Sequence, residues 1–292
     1  MIGRIAAGSS LQDGGRFGYR RFGVPYGGAF DRESLALANA LVGDDPNEAA
    51  IEMPLMGGSF VSEVAATFAV VGAPCQVLVG ARPVGGQSRF SVEAGETFHL
   101  LAEPGGVRRY LVAAGGFEFE SLLGSASGVG IASGGALGLK NPKVMSSARL
   151  DTPPSSLAAT DLRFIAGPQE GFDLDQFSAT EFEVDMRSDR KGVRMGTVFH
   201  AHEIEIPSEP AVFGAIQIPP SGMPIILGPD GPTIGGYPKV GVVISADLSK
   251  VGQLGPGSKI RFKQVSLEEA VAINEAHISH LKSVVRNLRI VV

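Results

Sequence analysis

The chain has 292 residues, 40 of them glycine and 19 proline, with 44% apolar residues, 19% charged residues and a formal net charge of −5. That balance excludes a disordered chain and a helical bundle, and it gives no reason to expect nucleic acid or an anionic membrane surface as a partner. A single cysteine, Cys75, excludes an internal disulfide and fits a reducing compartment.

The first fifteen residues hold no apolar signal-like stretch, and nowhere do the ~18 uninterrupted apolar residues of a membrane span occur. A soluble, cytoplasmic protein is therefore expected. Residues 11–31, LQDGGRFGYRRFGVPYGGAFD, are too rich in glycine for a regular helix and read as a shaped loop. Gln12, Asp13, Arg16, Arg20 and Arg21 stand on it. Either Asp13 and Arg16 pair to hold the loop, or its guanidinium groups clamp a carboxylate or phosphate. Asp31 is placed to cap a helix over RESLALANALV, with Leu35, Ala38 and Leu41 on one face and Gly43 at the C′ position. Asn39 inside that helix carries a mild propensity cost that a hydrogen-bonding duty would explain.

Between 51 and 112 the pattern is of strands, at 59–61, 66–71, 76–79, 90–92, 97–101 and 109–113, separated by Gly-Gly or Pro breaks. Short strands at near-regular spacing indicate a barrel or sandwich. Cys75 and His99 fall on this material without partners at metal-ligand spacing, so both are expected to be packed and no metal site is expected. The Gly/Ser-rich stretch 115–140 lacks the GxxxxGK[ST] order of a phosphate cradle. Residues 141–160 are polar and proline-containing and read as a link between two halves, 1–145 and 160–292.

The second half opens with a strand at 162–166 and a short helix within 173–182 carrying Leu174, Phe177 and Phe182. A basic turn follows at 185–196. The most shaped stretch is 214–240, GAIQIPPSGMPIILGPDGPTIGGYPKV, where strands at 215–218 and 224–227 alternate with Pro/Gly turns before a strand at 240–244. Gln217, Ser221, Asp230, Thr233, Tyr237 and Lys239 stand among these stiff loops, which is how a scaffold presents a site. A faint echo links 23–31 with 217–230, since each sets a Pro-x-x-Gly turn before an aspartate. A strand at 258–262 leads to a closing helix from Ser266, with Ser266 and Glu269 as a capping box. Leu267, Ala270, Val271, Ile278, Leu281 and Val285 are its expected apolar face.

Gln12-Asp13-x-Gly15-Arg16-x-Gly18, Gly23-Val24-Pro25-x-x-Gly28-Ala29-Phe30-Asp31, Asn39 and Leu41-Val42-Gly43 form a long amino-terminal signature. Gly214-x-Ile216-Gln217-x-Pro219-x-x-Gly222-x-Pro224, Asp230, Thr233 and Gly235-Gly236-Tyr237-Pro238 form a second. Together they resemble the allophanate hydrolase subunit 2 family, or biotin-dependent carboxyltransferase family, which includes the C subunit of bacterial ATP-dependent 5-oxoprolinase. The resemblance implies an all-β chain with a few helices, made of two cyclophilin-like β-barrel halves, and a B-type (allophanate hydrolase subunit 1-like) partner protein. It implies work on a small amide or ureido substrate: ATP-dependent opening of 5-oxoproline to glutamate within a complex. The alternatives are the carboxyltransferase component of a urea carboxylase-type system, or a regulatory protein that antagonises an inhibitor of a histidine kinase. The chain has no biotin attachment site, so carboxyl transfer would need a separate carrier.

The family pattern is departed from at Gly27 (a serine in the family), Leu139 (arginine), Asp189 (asparagine) and Ile234 (threonine). Asp13, Arg16, Asp230 and Lys239 are the expected catalytic groups. Gln12, Asp31, Asn39, Gln217, Thr233 and Tyr237 are expected to bind substrate, with Gln217 and Asp230 on an amide edge and Arg16 or Lys239 on a carboxylate or phosphorylated intermediate.

Overall fold

Turn-rich, half-apolar strands without a long helical period fold here into sheets, in a computed structural model that describes residues 1–5, 8–131, 134–158, 161–200 and 205–290. Four α-helices accompany them among the described residues: α1 (Arg32–Leu41), α2 (Leu174–Ala179), α3 (Leu248–Val251) and α4 (Leu267–Ile290). The chain forms two compact units. The first comprises Met1–Arg16, Gly27–Leu157 and Leu281–Val292, and the second Phe17–Tyr26 and Ala158–His280.

The first unit carries two antiparallel sheets. A five-stranded one runs in the order Ile2–Ile5, Gly58–Val61, Thr97–Ala102, Cys75–Val79, Arg82–Pro83. A seven-stranded one runs Val129–Gly130, Ser10–Gln12, Ala50–Pro54, Arg108–Ala113, Ala66–Gly72, Ser88–Val92, Ala148–Arg149. All six strands expected between 51 and 112 are present. Phe60, Phe68, Phe90 and Phe98 meet in the core with ring centroids 4.9–6.3 Å apart. Helix α1 buries Leu35, Leu37, Ala38 and Leu41 in one cluster with Val71, Tyr110 and Val112. Asp31 caps it as expected, accepting from the Ser34 N–H at 3.0 Å.

The second unit is built on a seven-stranded sheet ordered Phe182–Glu183, Lys259–Gln264, Asp161–Ala166, Lys239–Val243, Ala215–Gln217, Ile225–Leu227, Gly192–Arg194. Its neighbours are antiparallel except Asp161–Ala166 beside Lys259–Gln264, which run parallel. Helix α2 plants Phe177 among Phe164, Phe182, Phe199 and Phe262 at 4.8–5.7 Å. A two-stranded ribbon pairs Glu209–Pro210 with Ile234–Gly235.

The expected capping box closes the start of α4. The Ser266 N–H donates to Glu269 at 2.9 Å and the Glu269 N–H to Ser266 Oγ at 3.1 Å. Its apolar face is corrected by the structure: Leu267, Val271 and Ile278 are exposed. Ala270, Leu281 and Val285 pack inward as expected, and Ile273 in the second unit with Val284 and Leu288 in the first complete the packed stripe. An amphipathic pattern with apolar residues on several faces fixes the helix but not its rotation.

Candidate functional site

The Gln12–Arg16 loop owes its shape to one carboxylate. Asp13 accepts from the Gly15 N–H at 2.8 Å, the Ser125 hydroxyl at 2.6 Å and the Ala126 N–H at 2.7 Å. The Asp13 carbonyl also accepts from the Ala29 N–H. Arg16, buried to 8% exposure, donates to the Ser127 carbonyl, so it does not pair with Asp13. Ser127 Oγ donates to Gln12 Oε1 at 2.8 Å and accepts from the Gly28 N–H.

The departure at Gly27 has a steric counterpart here. A side chain at this position, where φ is +62°, would bring its Cβ within 2.8 Å of Ser127 Cβ, so Ser127 fills the place a hydroxyl at 27 would take. Asp13→Ala strands two N–H groups and a hydroxyl, and is expected to cost about 2–3 kcal/mol, read as a lowered denaturant midpoint at unchanged slope.

Asp31 and Asn39 are both buried. The Asp31 carboxylate accepts from the Ser34 and Ser156 hydroxyls at 2.6 and 2.7 Å, and Asn39 Nδ2 donates to the Glu48 carbonyl at 2.8 Å. Sequence reading missed the neighbouring Glu52, which sits on a strand without any motif. It accepts from Tyr110 Oη at 2.8 Å and the Phe30 N–H at 3.0 Å, and Arg108 Nε lies 3.3 Å away. Burial first, then the charges of Glu52 and Asp31, push the Tyr110 hydroxyl well above its usual range. Cys75 is packed as expected, and burial pushes its thiol up to about 11, which leaves it protonated and unreactive.

In the second unit, sheet register assembles the polar groups of 214–240. Arg194 lies opposite Ile225, Ile225 opposite Gln217, and Gln217 opposite Lys239. Directly opposed residues share a face, and the first three line a cleft of about 630 Å³ together with Arg187, Lys191, Ser221 and Tyr237. Gln217 is 3% exposed and its Nε2 finds no hydrogen-bond partner among the described residues. A Cβ on Gly235 would lie 2.8 Å from that nitrogen, so glycine is what leaves the amide its space. A buried amide donor left unpaired costs about 1–3 kcal/mol, a cost that a bound acceptor would remove.

Lys239 pairs with Glu209, whose carboxyl is held below its usual range by the Lys239 hydrogen bond and further lowered by Gln169, 2.9 Å away. Asp230 is gripped by Arg190 at 2.7 and 3.0 Å. The Thr233 carbonyl accepts from the Ala211 N–H at 3.0 Å and from Arg20, whose guanidinium also lies 4.7 Å over the Tyr26 ring. Of the expected site residues, then, Gln217 and Tyr237 share the cleft, and Lys239 stands beside Gln217 in the same row. Gln12, Asp13 and Arg16 gather around Ser127, and Asp31 and Asn39 hold α1, all in the other unit.

The other departures are also accounted for locally. Leu139 packs against the first unit's core, the Asp189 carboxylate accepts from the Lys191 and Gly192 N–H groups at 2.8 and 3.1 Å, and Ile234 is exposed on the ribbon. Among the described residues no cluster of His, Cys, Asp and Glu could hold a metal ion, and no helix is long and apolar enough to cross a membrane.

Residues 22–264 match the family described as carboxyltransferase domain, subdomain A and B. The chain belongs to this family. It is 32% identical to the 5-oxoprolinase C subunit of Haemophilus influenzae, over 96% of this chain and 97% of the relative. It is also 32% identical to that of Escherichia coli, over 93% of each. The solved urea carboxylase of Kluyveromyces lactis superposes with a TM-score of 0.84 at 26% identity, covering 97% of this chain but 29% of that one. The chain thus spans nearly the whole of the two bacterial relatives and under a third of the yeast enzyme. The resemblance and the fold expected from the two signatures are both met: a mostly β chain of two cyclophilin-like halves.

Proposed function

We propose that this chain is the C-type component of an ATP-dependent 5-oxoprolinase complex, which opens 5-oxoproline to glutamate together with a B-type, allophanate hydrolase subunit 1-like partner in the cytoplasm. The observation that carries the reading is the end-to-end match to two proteins named as the C subunit of 5-oxoprolinase. The cleft of the second unit supports it chemically. An unpaired, buried amide N–H suits the carbonyl oxygen of a lactam or ureido group, and its hydrogen bond strengthens as that oxygen gains negative charge. Lys239 lies opposite Gln217 at a register shift in the sheet, with its charge already paired to Glu209, so it acts by holding that strand and the ribbon in place.

Tyr237 lines the rim, and Asp230 and Thr233 act by shaping the loop around it. Asp13, Gln12, Asp31 and Asn39 act by fixing their own unit's loop and helix, because their polar groups are engaged there, and Arg16 joins them through one terminal nitrogen on the Ser127 carbonyl while its buried Nε finds no partner among the described residues. ATP handling is assigned to the assembled complex.

The likeness to urea carboxylase supports a second reading, carboxyl transfer from a separate biotin carrier to a urea-like acceptor. Both are tested by reconstituting the chain with the proteins encoded beside it and measuring ATP-dependent glutamate formation from 5-oxoproline. Turnover that requires this chain, and falls about 10²-fold in Gln217→Leu, is the expected result. Bicarbonate-dependent carboxylation of urea instead would select the second reading. A tight complex without either reaction would leave a regulatory binding role.

A further inference from the structure

We propose that the cleft over the strands Gly192–Arg194, Ile225–Leu227 and Ala215–Gln217 is a subsite for a small carboxylate, with Arg194 and Lys191 taking the carboxylate and Gln217 Nε2 taking a carbonyl oxygen of the same ligand. The residue 185–196 segment brings four cations to this edge of the sheet, and two of them are already neutralised. Arg187 makes hydrogen bonds to Asp185 at 2.7 and 3.0 Å, strong enough to hold that carboxyl at about 2, and Arg190 grips Asp230. Lys191 and Arg194 make no ion pair among the described residues, although Arg194 is near enough to add to the lowering of the Asp185 carboxyl, and no acidic side chain lines the cleft. The nearby Asp189 carboxylate is turned onto the Lys191 and Gly192 backbone N–H groups, which orients the strand's first residues without cancelling either side chain.

Sheet geometry sets the size of ligand that fits. Arg194 and Gln217 face the same side across the intervening Ile225, two strand spacings or about 10 Å apart at the backbone. Both residues line the cleft across that distance, so an anion at one and a carbonyl oxygen at the other must belong to a ligand in which they are a few bonds apart. The floor between them is apolar: Met195 is fully buried, and Ile225 and Leu227 line the same space. A cationic rim, an apolar floor and one orphaned donor recognise a compact ring or short chain bearing one carboxylate and one carbonyl. A free phosphate or a long peptide would leave one of those features unused. For the choice of ligand the inference rests on the proposed function, since 5-oxoproline has this constitution.

The test uses the full chain without its partners, titrated with 5-oxoproline, acetate and N-methylacetamide while backbone and side-chain amide resonances are followed. Saturable shifts are expected in strands Gly192–Arg194 and Ala215–Gln217 and in the Gln217 side-chain amide, with 5-oxoproline at least 10-fold tighter than either fragment. Arg194→Met combined with Lys191→Met should weaken it 10-fold or more, whereas Lys259→Met, which removes an exposed cation paired with Glu181 elsewhere on the unit, should leave it unchanged. Gln217→Leu should weaken 5-oxoproline and leave acetate as it was.

Binding that ignores the double variant, or no shift in these strands up to millimolar ligand, overturns the subsite. The two readings fail separately. A reconstituted complex that turns over 5-oxoproline while the chain alone shows no such shifts keeps the function and removes the subsite. Carboxylate binding here without turnover by the complex keeps the subsite and removes the reaction.

Discussion

Asp247→Asn is expected to cost the second unit about 2–3 kcal/mol of stability, because it leaves two half-buried cations, Arg163 and Lys250, facing a neutral group. Asp247 has no exposed surface. Its carboxylate accepts from Arg163 through the backbone N–H at 2.8 Å, Nε at 2.9 Å and a terminal nitrogen at 2.6 Å, and from Lys250 Nζ at 2.8 Å. Burial alone would raise this carboxyl; the hydrogen bonds from Arg163, then those from Lys250, outweigh it and the result lies below the usual range.

Since the folded value is depressed, the stabilisation is present above the unfolded aspartate range near ~3.9 and is lost as pH falls through the folded value. Urea midpoints of the wild type and Asp247→Asn should therefore differ widely at neutral pH and converge below about pH 4. A constant difference across that range would mean that the carboxylate's charge is not what the site uses. The Arg163 strand is the third of the seven in its sheet, two strands from Ala215–Gln217, so this pair holds the platform on which the cleft residues stand.

How much of this was written legibly in the sequence differs by element. The six strands between 51 and 112, the Asp31 cap and the Ser266–Glu269 box were readable, because apolar alternation, Gly/Pro breaks and capping residues act locally. Gly192–Arg194 was read as a basic turn. Three residues after a run of charges have no period to detect, and it is pairing with Ile225–Leu227 that makes them a strand. That one omission hid Arg194 from the candidate site, since nothing local says which side of a sheet a residue in a turn will face.

The same limit applies to Asp13, Asp230 and Lys239. Their chemistry suggested catalysis, but their partners Ser125, Arg190 and Glu209 lie 112, 40 and 30 residues away in the chain. Glycine-shaped loops announced where polar groups would gather. Which of those groups would be left unpaired was decided by contacts of long sequence separation, and among the described residues Gln217 Nε2 and Arg16 Nε are the candidate-site nitrogens that stay buried and unsatisfied.

Phe177→Ala is the second large effect expected, about 3–5 kcal/mol for an aromatic removed from a closed core. Phe177 is fully buried, and its ring lies 4.8 Å from Phe262, 5.0 Å from Phe182 and Phe199, and 5.7 Å from Phe164. Four rings that lose a common neighbour cannot all move in to fill its volume, so most of the cavity term should survive relaxation. The sheet order makes the effect separable from the site. Phe182–Glu183 and Lys259–Gln264 lie at one edge, and Ile225–Leu227 and Gly192–Arg194 at the other. Phe177→Ala should accordingly lower the denaturant midpoint steeply, while leaving 5-oxoproline binding within about 2-fold at temperatures where the chain is folded, as additivity between distant sites requires. Phe177→Leu, which keeps an apolar side chain in the site, should recover a large part of the loss. A binding defect that tracks the stability loss in both variants would instead mean that the cleft depends on the whole sheet's packing and not on the row from Arg194 to Gln217.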